Sequence, residues 1–420
     1  MITKPKGTHD FYGEDASIYR YIADTFIGIC DLNNYSFIKT PTFESTNLFH
    51  RSVGETTDIV TKETYDFKDR GNRDLTLKPE GTAGVVRAVI ENKLYANTNN
   101  YLKYYYMDSM YRYERPQAGR YREFVQFGVE VFGNHSPYID AEIINLGVKF
   151  LEELKLENIS IKINNLGSKE EREKYRNALV KYFKKYESEM CEDCKLRLEN
   201  NPLRILDCKK DSDKDFIKNS PKISDYLGEE SKAYFKELLE CLDSLEIKYE
   251  LDENLVRGLD YYDYAVFEFM TNDETLEGAS TICAGGRYNN LVKNLDGPEL
   301  AGCGFAVGVE RLMSIIKALD LVPPLDTVDV YIAPIGENNI PDALLIGSSL
   351  KDCGFKCEID YRNTNIKNKL ATASKINSKY TVIIGDEEIK NYSVILKDMT
   401  TKEERTVSIN NLADELYVNL

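Results

Sequence analysis

The segment Tyr111–Gly133 reads Tyr-Arg-Tyr-Glu-Arg-Pro-Gln-Ala-Gly-Arg-Tyr-Arg-Glu-Phe-Val-Gln-Phe-Gly-Val-Glu-Val-Phe-Gly. Its pattern is a strand, a basic loop and a second strand. Alternation along the second strand puts Phe124, Gln126, Gly128 and Glu130 on one side and Val125, Phe127, Val129 and Val131 on the other. The apolar side is ordinary core. The other side spends its positions on an amide, a glycine and a carboxylate, which a purely structural central strand rarely does, because buried polar groups cost free energy unless they are paired. On the preceding strand Arg112 and Glu114 are expected to share a face in the same way. Arg115, Arg120 and Arg122, spaced by Pro116 and Gly119, occupy a loop that cannot be compact core. A cationic loop over a polar floor suggests a phosphate-bearing substrate.

Tyr-Arg-Tyr-Glu-Arg-Pro (111–116) and Arg-Glu-Phe-Val-Gln-Phe-Gly-Val-Glu (122–130) resemble motif 2 of class II aminoacyl-tRNA synthetases, in the form found in the histidyl-tRNA synthetase family. Five other segments carry the same resemblance. An amphipathic helix over 15–31, with Ile18, Ile22, Phe26 and Ile29 on one face, leads to an extended segment through Pro41 and is similar to motif 1, which implies a homodimer interface. Leu-Thr-Leu-Lys-Pro-Glu-Gly-Thr-Ala (75–83) is a strand breaking into a turn and a helix, with Glu80 and Thr82 displayed at the break. A capping turn is the plain alternative there. Leu-Val-Arg-Gly-Leu-Asp-Tyr-Tyr (255–262) and Thr-Ile-Cys-Ala-Gly-Gly-Arg-Tyr-Asn (281–289) resemble the two histidine signatures, and Gly302–Arg311 resembles motif 3.

From the residues alone, Arg257 in an apolar setting needs an anion, either a ligand or Asp260. The glycines of 302–308 fail the dinucleotide fingerprint, and no P-loop exists, so ATP must bind by another design. The resemblance implies that Glu80, Gly81, Thr82, Arg112, Gln126, Glu130, Arg257, Tyr261, Tyr262 and Tyr288 bind L-histidine. It implies ATP contacts from Arg112, Glu114, Arg120, Phe124 and Arg311, with Mg²⁺ on the phosphates, and catalytic roles for Arg112 and Arg257. An imidazole offers a donor and an acceptor on opposite edges, so Glu130 is expected to accept its N–H while Tyr262 serves the other nitrogen. His9, His50 and His135 are the chain's only histidines, none lies in a motif, and no protein histidine is expected to act in catalysis.

The bulk properties set limits. At 420 residues two to three domains are expected. No stretch approaches the roughly 20 apolar residues of a membrane helix and the first ten residues lack an apolar signal core, so a cytoplasmic protein without membrane association is expected. Nine scattered cysteines do not make a disulfide framework. Cys191-Glu-Asp-Cys194 is the only C-x-x-C. No histidine or second cysteine pair follows it at zinc-finger spacing, although Cys208 is near, so no metal site built from protein side chains is expected.

A net charge of −16 argues against a protein that coats nucleic acid non-specifically. A local basic run remains: Tyr361–Tyr380 holds Arg362, Lys367, Lys369, Lys375 and Lys379 without an acidic residue. The expected fold is therefore an α+β catalytic domain over 1–325 with a mostly antiparallel sheet (motif 1 near 15–45, motif 2 near 104–133, motif 3 near 302–316). A helical insertion over about 168–246 interrupts it, and an α/β anticodon-binding domain follows over 326–420. tRNA(His) would be held by Arg115, Gln117 and Arg122 and by Lys367, Lys369 and Lys375. The activity implied is ATP-dependent formation of histidyl-adenylate and transfer to the 3′-terminal ribose of tRNA(His). The alternative is the related non-catalytic regulatory subunit of ATP phosphoribosyltransferase.

Overall fold

The alternation in Glu123–Gly133 decides the architecture of the first unit. Val125, Phe127, Val129 and Val131 all enter one hydrophobic core, while Phe124 and Gln126 line a cavity on the opposite face. The computed structural model describes residues 1–420 except 55–56, 58, 98–100, 117–118, 209, 272–280, 324–326 and 419–420. The chain divides into two compact units, Met1–Pro323 and Pro324–Leu420.

In the first unit an eight-stranded sheet runs in the order Ser36–Phe37, Leu102–Tyr111, Glu123–Gly133, Ala301–Gly308, Thr281–Arg287, Asp263–Thr271, Ile159–Asn165, Glu250–Leu251. The five interior ladders are antiparallel and the two edge ladders parallel. The mostly antiparallel sheet expected from the sequence is the one found. Helix Glu14–Leu32 buries Ile18, Ile22, Phe26 and Cys30 on the core face, and helices Pro137–Glu153 and Val309–Ala318 complete that layer. Arg112 and Glu114 lie just beyond the strand end at Tyr111 rather than within it. The Arg112 N–H donates to the Arg122 carbonyl at 2.9 Å and so continues the hairpin.

Residues 169–244 form helices Lys169–Phe183, Glu192–Asn200, Asp215–Lys218 and Glu229–Ser244 with short helical turns between them. Ser168 opens the first with a capping box, its hydroxyl accepting from the Glu171 N–H while Glu171 accepts in return. Through Tyr234 this helical segment reaches a buried ion pair at the sheet. Arg287, at the end of its strand, donates from Nε to Asp140 Oδ1 at 2.9 Å and from Nη2 to the Ser136 carbonyl at 3.0 Å; the Tyr234 hydroxyl donates to Asp140 Oδ2 at 2.6 Å. Helix Pro137–Glu153, helix Glu229–Ser244 and the strand leading to Tyr288 therefore meet on one carboxylate.

The second unit carries a five-stranded sheet, Cys357–Ile359, Val330–Pro334, Tyr380–Ile384, Ser393–Asp398, Glu404–Ser408, parallel among the first three strands and antiparallel after them. Fully buried runs such as Val330–Pro334 and Tyr380–Ile384 need cover on both faces. Residues of helices Ile340–Asp352, Ile366–Lys375 and Leu412–Tyr417 pack in the two apolar clusters around the sheet.

Removing one partner from a buried ion pair leaves an uncompensated charge. Asp140→Ala should lower the unfolding free energy of the chain by about 3–5 kcal/mol, read as a reduced denaturant midpoint. A loss within error of zero would mean that Arg287 finds other partners.

Candidate active site

The polar face of the central strands opens into a cavity of about 280 Å³ whose wall draws on distant stretches of sequence. Glu80 and Thr82 come from the turn before helix Thr82–Glu91, and Arg112, Glu114 and Arg120 from the hairpin loop. Phe124 and Gln126 come from the floor strand, and Arg257, Tyr261 and Tyr262 from the segment before strand Asp263–Thr271. Arg311 comes from the start of helix Val309–Ala318. These residues were singled out from the sequence, and the fold gathers them around one cavity. The mouth continues into a wider cleft of about 920 Å³ that shares Arg112, Glu114, Arg120 and Arg311 and is walled opposite by Asp193, Arg197, Asn200 and Arg204.

Each guanidinium is held in place without being fully used. Arg112 donates from Nε to the Pro79 carbonyl at 2.9 Å and lies over the Phe124 ring at 5.1 Å. Arg120 donates to Glu114 at 3.2 Å. Arg311 donates to the Thr281 carbonyl at 2.6 Å. Arg257 pairs with Glu268 on strand Asp263–Thr271 and not with Asp260, which is engaged by Asn201 at 2.7 Å. Buried Arg257 Nε has no partner among the described residues, nor do Gln126 Oε1 and the Tyr106 hydroxyl. All three belong to residues that line the cavity.

Glu80 accepts from the backbone N–H groups of Thr82 and Ala83, each at 2.8 Å, so it caps the helix as the plain reading of that turn allows. It also faces the cavity, where the Tyr261 hydroxyl approaches it at 3.4 Å. Gly81, in the same turn, packs against the Tyr106 ring.

Glu130 and Tyr288 stand behind the wall. The Glu130 carboxyl accepts from Thr82 Oγ1 at 2.7 Å and from the Tyr288 hydroxyl, so both oxygens are engaged and neither is open to an imidazole as the structure stands. Gly304, which lines the cavity, leaves room for this carboxyl, since a Cβ there would lie 2.2 Å from Glu130 Oε2. Burial without a cation pushes the Glu130 carboxyl up to about 8. Burial also raises Glu80, and it raises Glu310, in the cavity wall, to about 7. Four guanidiniums therefore face four carboxyl groups of which two ionise reluctantly, and the balance favours an anionic ligand.

The residues expected to meet tRNA differ in their surroundings. Arg115 is exposed, while Arg122 stacks over the Tyr113 ring at 4.0 Å and packs against Gly7. Gln117 lies outside the described residues. In the second unit Lys367 and Lys375 are exposed, but Lys369 is 2 % exposed and donates to the Asp360 carbonyl at 3.2 Å. Its ammonium braces the strand-to-helix turn, so it is not available to RNA. Gly285 lets two strands pair closely, since a Cβ there would lie 2.3 Å from the Gly304 carbonyl.

Three residues were missed. Glu268 is a lone carboxylate in the apolar run Tyr-Ala-Val-Phe-Glu-Phe-Met, which is a readable signal. Tyr106 sits across the ladder from Gly128, where the absent side chain makes room for its ring. His9 has no such signal. Burial lowers its pKa, its ring lies tilted against that of Tyr121 at 4.6 Å, and its Nε2 lies 3.5 Å from Glu310.

Between the unfolded carboxyl value near 4.5 and the folded value near 8, the folded state holds a proton on Glu130 that the unfolded state has released. The stability this group contributes is complete below pH 4.5 and is lost as pH rises through about 8. Glu130→Gln should therefore gain stability relative to the parent as pH rises across that window, by on the order of 1 kcal/mol per pH unit. A pH-independent difference in denaturant midpoints would contradict a protonated Glu130.

Residues 7–312 match the family model for histidyl-tRNA synthetase, and residues 329–418 match the one for an anticodon binding domain. The histidine–tRNA ligase of Staphylococcus haemolyticus is 45% identical over 416 residues, 99% of this chain and 98% of that protein. That of Bacillus cytotoxicus is 45% identical over 417 residues, 99% of each. The crystal structure of apo Staphylococcus aureus histidyl-tRNA synthetase superposes with a TM-score of 0.84 at 38% identity, covering 99% of this chain and 100% of that one. The fold, the ordered motifs and this identity over nearly the whole length have one meaning: the chain belongs to the histidyl-tRNA synthetase family of class II aminoacyl-tRNA synthetases.

Proposed function

We propose that the chain ligates L-histidine to tRNA(His) in two steps. The histidine carboxylate attacks the α-phosphate of ATP in line and pyrophosphate leaves. The 3′-terminal ribose hydroxyl of the tRNA then attacks the adenylate carbonyl and AMP leaves. The observation that carries the residue assignments is the set of buried, unpartnered polar atoms on Tyr106, Gln126 and Arg257 around one cation-rich cavity. Buried groups of this kind are rare unless a ligand satisfies them.

In this reading the α-ammonium group of histidine sits against Glu80, Thr82 and Gln126, and its ring lies among Tyr106, Tyr261 and Tyr262. The imidazole reaches Glu130 by taking over one of the hydrogen bonds that Thr82 and Tyr288 now make. A site built to hydrogen-bond a substrate group rejects analogues lacking it by roughly 10⁴ or more. Arg112 and Arg257 neutralise charge developing on the α-phosphate, with Glu268 holding Arg257 at the correct place. Adenine lies between Phe124 and Arg311. Mg²⁺ supplies further charge neutralisation on the phosphates when bound, and the Glu114 and Glu310 carboxylates in the wall are the hard oxygen ligands that suit it. No side chain acts as a dedicated general base, a role left to a phosphate oxygen of the substrate.

The cleft beyond the cavity receives the tRNA acceptor end beside Arg115, Gln117 and Arg122, and Lys367 and Lys375 of the second unit meet its anticodon arm. Exposed Phe37 and Phe43 in the motif 1 region, with exposed Phe67 beyond it, favour a homodimer. The protein works in the cytoplasm, and among the described residues no helix is long and apolar enough to cross a membrane. The regulatory-subunit alternative has a likeness of fold behind it, a TM-score of 0.67 at 21% identity to a Bacillus halodurans protein described as an ATP phosphoribosyltransferase regulatory subunit/histidyl-tRNA synthetase.

ATP–pyrophosphate exchange with each amino acid in turn tests the assignment. Exchange with histidine alone is expected, and none with any amino acid would return the regulatory reading. Arg257→Ala should keep histidine binding but lose about 10²–10³-fold in exchange; parallel loss of both would contradict its transition-state role. Replacing Lys367 and Lys375 with Glu should slow charging several-fold and leave exchange intact. Unchanged charging would make them ordinary surface lysines.

A further inference from the structure

The helical segment holds a cluster that the synthetase reading does not use. Cys191, Cys194, Cys208 and Asp211 bring one ligand atom each to a point where all four lie within 4.8 Å of one another. We infer that these four side chains form a structural zinc site that staples the wall of the cleft facing the catalytic arginines.

The spacing explains why the sequence conceals it. Cys191-x-x-Cys194 is followed by Cys208-x-x-Asp211, which is the two-pair pattern of a zinc ribbon with aspartate in the place of the fourth cysteine. A search for a second cysteine pair or a histidine passes over it. The geometry suits the metal. The Cys191 and Cys208 sulfurs are 3.7 Å apart, and two thiolates bound tetrahedrally at about 2.3 Å would stand about 3.8 Å apart.

The chemistry and surroundings agree with the spacing. All nine cysteines are free, and Cys194, Cys208 and Asp211 are buried. Three soft sulfurs with one carboxylate oxygen suit Zn²⁺ better than the oxygen-seeking Mg²⁺ or Ca²⁺. The carboxylate is already oriented, since the Cys191 N–H donates to Asp211 Oδ2 at 2.9 Å and Lys214 Nζ lies 2.9 Å from Oδ1. Supporting contacts of this kind fix metal ligands, and the lysine offsets part of the site's negative charge.

The placement gives the site a purpose. Cys191 precedes helix Glu192–Asn200 and Cys194 lies in its first turn, while Cys208 and Asp211 follow the short helical turn Pro202–Ile205. Between the two ligand pairs run Arg197, Asn200 and Arg204, which wall the cleft, and Asn201, which binds Asp260 of the histidine signature. A bound metal would join both ends of that wall.

The full-length chain, purified under reducing conditions from zinc-supplemented cells, should carry about one zinc ion per chain by mass spectrometry. Replacement by Co²⁺ should produce thiolate-to-cobalt charge-transfer and tetrahedral ligand-field bands. Asp211→Asn should weaken cobalt binding by about 10–100-fold, Cys208→Ser should abolish the stoichiometric metal, and Cys241→Ser, outside the cluster, should change neither. Zinc far below one per chain with no charge-transfer band in the reduced parent protein would overturn the site, and this holds even if the cysteine variants fail to fold. Recovery of a Cys191–Cys208 disulfide in place of metal would overturn it as well.

Discussion

A carboxyl group buried where no cation reaches it organises the first unit. Glu130 sits at the end of the polar face of the central strand and is satisfied by two hydroxyl groups, Thr82 at a helix start and Tyr288 after a strand end. Those donors belong to segments far apart in sequence. An unsatisfied buried carboxyl would be costly, so the strand, the turn and the signature loop are held in one mutual arrangement. Gly304 on the neighbouring strand leaves the space the carboxyl needs. The buried Arg287–Asp140 pair anchors the residue just before Tyr288 to two helices, so the hydroxyl that satisfies Glu130 is positioned from behind.

The cavity in front of this support is electrostatically biased. Arg112, Arg120, Arg257 and Arg311 bring four guanidiniums to its wall, while burial raises Glu80 and Glu310. The site therefore presents positive charge in excess, which suits a nucleotide whose α-phosphate gains charge as it reacts. Glu268 and Glu114 prevent mutual repulsion from expelling the arginines while preserving the excess.

Much of this could be read from residues. The two faces of Glu123–Gly133, the helix over Glu14–Leu32 and the gathering of Gln126, Arg112 and Arg257 follow from alternation, from helical spacing and from family motifs. What escaped reading has a common cause. Lys369 stands in a run without acidic residues, yet the fold buries it against Asp360, which immediately precedes that run, because a helix period and a strand end put them together. Arg257 finds Glu268 and not the nearer Asp260 because the strand carries Glu268 back beneath it. Asp211 became a candidate ligand only when its loop closed on Cys191.

By itself the sequence determined the sheet with one apolar and one polar face, the order of the motifs and so the family, because these depend on local periodicity and on residues written consecutively. Only the tertiary structure decided which carboxyl groups are occupied, which lysines face solvent and which sulfurs meet. Those outcomes depend on how separate elements close on one another, and burial sets both the charge of a group and its partner after the chain has closed around it.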